Sequence, residues 1–317
     1  MQRYHTPTLI NSNLIGIVSP IDTNAEINYE ELQRAVREYF PAGCGVDETK
    51  FNKLSGKFYE SLSLCERGDL WGLLDRTALD IAIPAATAEV RERTTSSCPA
   101  TRRMIIVGCG DGRLCETLIL LAIELGYIEI TFNDLFAFHV EKVKERVAEL
   151  NFDKHCIKVS YSVGDFTTVP LEGYYDVAVA MFFVTAEILA LTSLKALNKK
   201  RSSFFRAVRN GLHPCGVFVE DTPEMTWPGF YSELRLASAK AMSKVHGLGA
   251  EAQNFTLTAL NKPSGGFPYH VRYMPERSRH YEERLANGFR PLDNWTIPAS
   301  TRNSKLERWK RIALWGM

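Results

Sequence analysis

A short apolar run that leads into a glycine-rich turn constrains the fold of this chain more than any other feature. Residues 104–134 read MIIVGCGDGRLCETLILLAIELGYIEITFND. The run from Met104 to Val107 is too short for a buried helix and is rich in β-branched residues, so it predicts a central strand. Apolar residues then recur at helical spacing from Cys115, and Gly126 predicts the end of that helix. Ile128 to Phe132 predicts the next strand.

The glycines of the turn predict a place where the backbone meets a ligand. Gly108, Gly110 and Gly112 allow a tight turn and a close approach where side chains would collide. Asp134 follows the second predicted strand, about 22 residues after the last of these glycines, where a carboxylate can accept both hydroxyls of a ribose. The whole unit therefore predicts a nucleoside-binding site.

The spacing of the glycines narrows the choice of nucleoside. A dinucleotide fingerprint, G-x-G-x-x-G, would need glycine at position 113, which is Arg113. A phosphate-binding loop needs Gly-Lys-Ser/Thr, which the turn lacks. The pattern G-x-G-x-G with Asp134 downstream resembles the class I S-adenosylmethionine (SAM)-dependent methyltransferases, over roughly residues 103–221. This resemblance implies an α/β fold with a Rossmann-like seven-stranded sheet, helices on both faces and an antiparallel closing strand, and it implies SAM as the cofactor.

Two further segments match the cofactor site of that family. Gly164-Asp165-Phe166 follows the third predicted strand, and the resemblance implies that Asp165 accepts from the adenine amino group while Phe166 packs on the ring. A surface Gly-Asp turn is the alternative. The fourth predicted strand, Tyr174 to Met181, ends where the family borders the methionine part of SAM. The residues that the resemblance assigns to the cofactor are Gly108, Cys109, Gly110, Gly112, Asn133, Asp134, Leu135, Asp165, Phe166, Met181 and Phe182.

The sequence departs from the family at one position of the first motif. An acid usually stands two residues before the first glycine, and Ile106 stands there instead. The methionine end of SAM is therefore expected to be held differently. The fourth predicted strand also ends without the acidic and amide ligands of the metal-dependent catechol-type methyltransferases, so no catalytic metal is expected.

The first 95 residues predict a helical cap or lid in front of this unit. Three amphipathic stretches, which begin at Asn28, near Glu48 and at Asp69, indicate three helices. The third is expected to stop at Pro84, because proline removes a helical hydrogen bond and clashes with the preceding turn. Such a cap suits SAM chemistry, since the site must exclude water around a reactive sulfonium.

The remaining chain predicts a SAM-binding domain over residues 96–317, entered through a charged, Ser/Thr-rich linker at 91–102. Helices are expected at Thr185–Leu197 and Ser202–Leu212, and a substrate-side insertion at about 223–275. Three late apolar runs predict the last strands of the sheet: Gly216–Glu220, Phe289–Ile297 and Trp309–Trp315.

Four residues are candidates for contact with the reacting groups. Tyr59 can reach the ligand from the cap, or it can pack beside Phe58. Phe182 can attract the sulfonium by a cation–π contact, or it can pack in the core. Glu187 can face the acceptor, or it can be a solvated charge in the first turn of a helix. Asp221, at the tip of the fifth predicted strand, can serve as a base, hold a substrate amine or stabilise a turn.

Composition limits the partners and the compartment. The net charge of +1 over 317 residues gives no support to a nucleic-acid partner. No apolar run approaches the roughly 20 residues that span a bilayer, and no secretory signal is expected. Seven cysteines without paired spacing favour reduced thiols in a cytoplasmic protein. The oligomeric state is not predicted.

The sequence favours a SAM-dependent methyltransferase that acts on a small molecule, because such an enzyme mainly aligns donor and acceptor and removes water. The alternative is attack on the methionine chain of SAM, as in enzymes that resemble nicotianamine or azetidine-2-carboxylate synthases, with release of methylthioadenosine. The missing acid at Ile106 motivates that alternative. A SAM-fold binding module without catalysis is a third hypothesis.

Overall fold

The structure is a computed structural model. It describes residues 69–96, 98–168, 174–181, 194–222, 240, 255–259, 269–273, 277–299 and 308–317. The first two predicted helices lie outside the described residues, as do Tyr59, Phe182 and Glu187.

Fourteen helices and strands make up the described part of the chain. The helices are α1 (Asp69–Arg93), α2 (Cys115–Glu124), α3 (Ala137–Glu149), α4 (Leu194–Gly211) and α5 (Arg277–Ala286). The strands are β1 (Arg103–Val107), β2 (Glu129–Asp134), β3 (Lys158–Val163), β4 (Tyr175–Ala180), β5 (Leu212–Thr222), β6 (Phe255–Ala259), β7 (Tyr269–Tyr273), β8 (Arg290–Ala299) and β9 (Arg308–Gly316).

Seven of these strands form one sheet in the order β3-β2-β1-β4-β5-β9-β8. The first five strands, β1 to β5, run parallel to one another, and β9 is antiparallel to both β5 and β8. The predicted seven-stranded Rossmann-like sheet with an antiparallel closing strand is confirmed. The two remaining strands, β6 and β7, pair as a separate antiparallel ladder within the segment predicted as an insertion.

Helices cover both faces of the sheet, as predicted. Met104 and Ile106 of β1 belong to a core shared with α1, α2 and α3. Ile105 and Val107 point to the other face, where α4 contributes Phe204 and other apolar side chains. This alternation within one strand is the two-residue period of a strand buried on both sides. None of the described helices is both long enough and apolar enough to span a membrane.

The prediction that the third helix ends at Pro84 is wrong. Helix α1 continues through Pro84 to Arg93. An interior proline costs a helix about 3 kcal/mol. Leu79 and Ile83 are fully buried in the core of the sheet, and burial of each such side chain stabilises by about 1.5–3 kcal/mol. Packing on the sheet therefore outweighs the local preference of proline.

The last part of the cap predicted over residues 1–95 packs directly on the sheet. Side chains of α1 lie in the same core as β1 and β4, so this helix belongs to the layer that covers the sheet. Thr87 Oγ1 lies 2.9 Å from the hydroxyl of Tyr127, just before β2, which ties the helix to the sheet. The first three residues of the predicted linker at 91–102 are the last residues of α1.

The end of α2 at Gly126 is confirmed. Gly126 has a φ of 81°, in the left-handed region, and its N–H donates to the carbonyl of Ile123 at 3.0 Å. The N–H of Tyr127 donates to the carbonyl of Ala122 at 2.8 Å. These two bonds form a Schellman motif, which satisfies carbonyls that the helix end leaves open.

The predicted break between the helices Thr185–Leu197 and Ser202–Leu212 is absent. Helices were expected at Thr185–Leu197 and Ser202–Leu212, whereas α4 runs without interruption from Leu194 to Gly211. Residues 182–193 lie outside the described part of the chain. The strand that follows begins at once, at Leu212, and is longer than the predicted Gly216–Glu220.

Candidate functional site

The glycine turn between β1 and α2 adopts a backbone that glycine alone accommodates easily. Gly110 and Gly112 have φ values of 58° and 73°. A Cβ on Gly112 would lie 2.8 Å from Cγ2 and 3.1 Å from Cα of Val143, so this glycine lets α3 pack against the turn. A Cβ on Gly110 would meet no atom within 4 Å, so the turn faces open space there. The two glycines therefore have different roles, one in packing and one at an open face.

The carboxylate of Asp134, at the end of β2, lies against this turn. Its Oδ2 atom accepts a hydrogen bond of 2.9 Å from the N–H of Gly110. Its Oδ1 atom accepts from the N–H of Phe136 and from Nδ1 of His139, each at 3.0 Å. A carboxylate offers about four acceptor positions, so these three bonds leave one, on Oδ2. The side chain is thus held in place beside the turn with capacity for a further donor.

His139 is a residue of the site that sequence reasoning missed. It lies in the first turn of α3, buried, with its ring 4.3 Å from that of Phe138. Because an ionised carboxylate only accepts, the contact with Asp134 places a proton on Nδ1. His139 orients the carboxylate. Its position five residues after Asp134, at the start of an amphipathic helix, is the one signal that could have found it.

Asp165 stands in a turn directly after β3. Its Oδ1 atom accepts from the N–H of Thr167 at 2.9 Å and from its hydroxyl at 2.8 Å, and Oδ2 forms an ion pair with Lys200 of α4. Burial raises the pKa of Asp165, but the hydrogen bonds from Lys200 and Thr167 outweigh burial and bring it below its ordinary value. The Gly-Asp turn that sequence analysis gave as an alternative is present. Contact with an adenine amino group stays a prediction.

Phe166 packs away from the turn into the α4 side of the core. It is 3% exposed, and its ring centroid lies 5.8 Å from that of Phe204. Its predicted contact with a purine ring stays a prediction. Lys200, the partner of its neighbour Asp165, was missed as well, because no local pattern links residues 35 positions apart.

The other predicted cofactor residues that the structure describes lie at the same edge of the sheet. The N–H of Cys109 donates to the carbonyl of Asn133 at 3.0 Å and so extends the β1–β2 ladder. Burial raises the pKa of the Cys109 thiol, which keeps it neutral. Leu135 is half-buried next to Asp134, and Met181 is buried directly after β4. Parallel strands bring these tips together, because their carboxyl ends share one edge.

The acidic pair at the tip of β5 divides between the two faces of the sheet. Glu220 accepts from Arg284 through Nε at 2.7 Å and Nη2 at 2.6 Å, and both side chains are 0% exposed. Asp221 shares the opposite face with Val219 and is buried. Glu220 therefore belongs to a structural ion pair, and the predicted contact of Asp221 with substrate stays a prediction.

No protein-family model and no curated protein sequence matches this chain. Solved structures do match. A SAM-dependent methyltransferase from Methanosarcina mazei aligns with a TM-score of 0.51 at 14% identity, over 67% of this chain and 91% of that one.

Two further solved structures align less closely. The CcbJ methyltransferase from Streptomyces caelestis does so with a TM-score of 0.44 at 14% identity, over 73% of this chain and 87% of its own. The glycopeptide N-methyltransferase MtfA, complexed with SAM, has a TM-score of 0.43 at 17% identity, over 73% and 87%. At such identities the match to the M. mazei protein establishes a shared fold.

Proposed function

We propose that this protein is a SAM-dependent methyltransferase that acts on a small-molecule acceptor. The observation that carries the proposal is the position of Asp134 against Gly110, in a turn that faces open space. The turn follows β1, and the strand order reverses between β1 and β4. Open α/β sheets bind ligands at such a reversal, outside the carboxyl ends of the strands.

The residues of the turn fit the nucleoside part of SAM. Oδ2 of Asp134 has one acceptor position left after its bond to Gly110, which suits one ribose hydroxyl. A second hydroxyl requires a donor to leave, and the N–H of Gly110 is the one that a small backbone rotation releases. Because His139 and Phe136 hold Oδ1, the carboxylate keeps its orientation during this exchange.

The adenine end of the proposed site is defined by Asp165. Its ion pair with Lys200 keeps the carboxylate ionised and ready to accept an N–H. Adenine binding then requires the exocyclic amine either to share Oδ2 of Asp165 with Lys200 or to displace Lys200 from that oxygen. Leu135, next to Asp134, supplies an apolar contact for the purine between the two acids.

The cofactor would supply an activated methyl group, so little covalent chemistry is left to the protein. Its residues would bind the donor, orient the acceptor and exclude water. Asp221 is the described acid placed to hold an acceptor amine or take its proton, because it lies at the same carboxyl edge as the glycine turn. Tyr59, Phe182 and Glu187 keep their predicted roles next to the reacting groups as part of this proposal.

Titration calorimetry with SAM and S-adenosylhomocysteine tests the proposal. Both are expected to bind, and Asp134→Asn is expected to weaken each by at least about tenfold, since one charge-assisted hydrogen bond contributes about 1.5–3 kcal/mol. Asp153→Asn, at an exposed acid before β3 and so at the opposite edge of the sheet, is the matched control. Absence of binding by both compounds would overturn the proposal.

One observation favours the alternative reaction on the methionine chain. Ile106 stands where the family has an acid. Its side chain is apolar and buried in the core, so it offers no acceptor for the methionine amine. A repositioned methionine end can present its own amine to the γ-carbon. After loss of a proton to solvent, the amine nitrogen would form a bond to that carbon as the carbon–sulfur bond breaks, and methylthioadenosine would leave with the electron pair of that bond. Mass spectrometry after incubation with SAM alone separates the two: rapid release of methylthioadenosine supports the alternative, and its absence supports methyl transfer.

A further inference from the structure

Three metal-ligating side chains meet at the edge of the sheet opposite to the glycine turn. Sγ of Cys98 lies 3.3 Å from Sγ of Cys215 and 3.6 Å from Nε2 of His213. All three potential ligand atoms lie within 4.8 Å of one another. Cys98 precedes β1, and the other two lie at the start of β5. The cluster is therefore at the amino ends of the parallel strands, away from the proposed nucleoside site.

A bulge in β5 places two of the three side chains of this cluster, His213 and Cys215. Pairing with β4 jumps from Tyr175↔Leu212 to Val177↔Val217, so one residue of β4 stands opposite four of β5. The extra residues, 213–216, leave the ladder and carry His213 and Cys215 to the same place. Bulges that redirect side chains in this way are built features of a fold.

Several contacts fix the bulge. A Cβ on Gly216 would lie 2.8 Å from the carbonyl oxygen of His213, so only glycine permits this backbone path. Arg93, the last residue of α1, donates from Nη1 to the carbonyl of Gly216 at 3.3 Å and from Nη2 to that of Pro214 at 3.4 Å. The site is thus held in shape before any ion binds.

The segment that carries Cys98 is fixed from the other side. Thr95 and Cys98 exchange two backbone hydrogen bonds, of 3.3 and 3.1 Å. Asp176, the residue of β4 opposite the bulge, accepts from the N–H of Thr101 at 2.9 Å and of Arg102 at 2.6 Å. Both parts of the cluster are therefore anchored to the same point of the sheet.

The donor set and its spacing suit Zn²⁺. Two thiolates and an imidazole are the usual ligands of that ion, and tetrahedral zinc with bonds of about 2.3 Å to sulfur and 2.0–2.1 Å to nitrogen separates S from S by about 3.7 Å and S from N by about 3.6 Å. The observed distances of 3.3 and 3.6 Å meet these values with a shift of less than about half an ångström. Two thiolates also neutralise the charge of the ion.

We propose that Cys98, His213 and Cys215 bind one Zn²⁺ ion, with water as the fourth ligand. Cys98 precedes His213 by 115 residues in the chain, so the ion would join the segment before β1 to the bulge of β5. Cys98 is half-buried and Tyr174, whose ring lies 6.5 Å from that of His213, is exposed, which gives an ion a path from solvent. The proposal is independent of the nucleoside site.

Cobalt substitution in the full chain tests this site. Protein stripped with a chelator and kept in a non-thiol reductant is titrated with Co²⁺, which reports thiolate ligands by sulfur-to-metal charge transfer and tetrahedral geometry by visible bands. One equivalent is expected to bind, and Zn²⁺ is expected to bleach the bands. Cys98→Ser, His213→Gln and Cys215→Ser are each expected to lower the Co²⁺ affinity by at least about 100-fold, more than the loss of an outer-shell partner does.

Cys156→Ser, at an exposed cysteine outside the cluster, is the matched control and is expected to keep the full signal. Absence of thiolate bands in the wild type overturns the proposal, as does equal Co²⁺ affinity in Cys98→Ser. Circular dichroism of each variant separates loss of metal binding from loss of folding. Cys98→Ser is the variant least expected to unfold, because Cys98 is only half-buried. A Cys98–Cys215 disulfide that forms on air oxidation, with no cobalt bands in the reduced protein, would identify a redox pair instead of a metal site.

Discussion

The backbone N–H of Gly110 donates a hydrogen bond of 2.9 Å to Oδ2 of Asp134. This bond joins the turn after β1 to the tip of β2, two elements that meet only because their strands are neighbours in the sheet. The bond holds the Asp134 carboxylate where the proposed ligand would need an acceptor, and it also uses one of the two acceptor positions on Oδ2. Binding of a nucleoside therefore depends on the groups that hold the other carboxylate oxygen, Oδ1, which are the N–H of Phe136 and the ring of His139.

His139 is expected to matter for affinity through Asp134. His139→Phe removes the donor to Oδ1 and leaves the buried carboxylate with two partners, which is expected to lower the free energy of unfolding by about 1–3 kcal/mol and to weaken SAM binding about tenfold. His139→Asn, which can still donate, is expected to restore part of the affinity. Calorimetry and chemical denaturation measure the two effects. Equal affinities in all three proteins would show that His139 has a packing role only.

Gly110 and Gly112 form a matched pair for separating ligand binding from packing. Both have positive φ, so alanine strains the backbone at either position by about 1 kcal/mol or more. At Gly112 the new methyl also meets Val143, and a further loss of about 1–3 kcal/mol in stability is expected. At Gly110 the methyl enters open space, so Gly110→Ala is expected to remain folded and to lose SAM binding. Full SAM affinity in Gly110→Ala would place the ligand elsewhere.

The ion pair of Asp165 with Lys200 predicts how stability depends on pH. The pKa of Asp165 is lowered in the folded protein, because the bonds from Lys200 and Thr167 outweigh burial. Such a carboxyl contributes stability above its unfolded pKa of about 3.9 and loses that contribution as the pH falls through the lower folded value. The difference in free energy of unfolding between wild type and Asp165→Asn should be constant from about pH 7 to 5 and shrink below about pH 4. A difference that grows as the pH falls would contradict the direction of the shift.

The ion pair of Arg284 and Glu220 predicts that loss of Arg284 alone lowers the free energy of unfolding more than loss of both charges. Both side chains are fully buried, and Arg284 also stacks 4.4 Å from the ring centroid of Phe205. Arg284→Met leaves an unpaired buried charge and is expected to lower the free energy of unfolding by about 3–5 kcal/mol. The double variant Arg284→Met/Glu220→Gln is expected to recover part of that loss, and a double-mutant cycle by denaturation measures the coupling. Additive losses would show that the pair does not interact.

The unit from β1 to β2 could be predicted almost to the residue because its signals are local. β-branched runs, glycines and helical spacing all lie within 31 residues of Met104, and the observed bounds differ by one or two positions. Pro84 failed as a boundary because burial of α1 on the sheet, a tertiary effect, outweighs the local preference of proline.

The partners of the predicted acids could not be found in the same way. Asp134 and Asp165 were identified from their places after strands, whereas Lys200 reaches Asp165 from a helix that follows another strand. The cluster of Cys98, His213 and Cys215 has no sequence pattern at all. It exists because β5 bulges beside β4, and the spacing of cysteines along the chain does not report a bulge.

The last strand, β9, enters the sheet between β5 and β8, both of which precede it in the chain. Until residues 308–316 have joined the sheet, β5 therefore keeps one unpaired edge and β8 has no neighbouring strand in the sheet. Unpaired edges are templates for strands of other molecules. For this protein, truncation before residue 308 would leave that edge of β5 permanently available for pairing with another molecule.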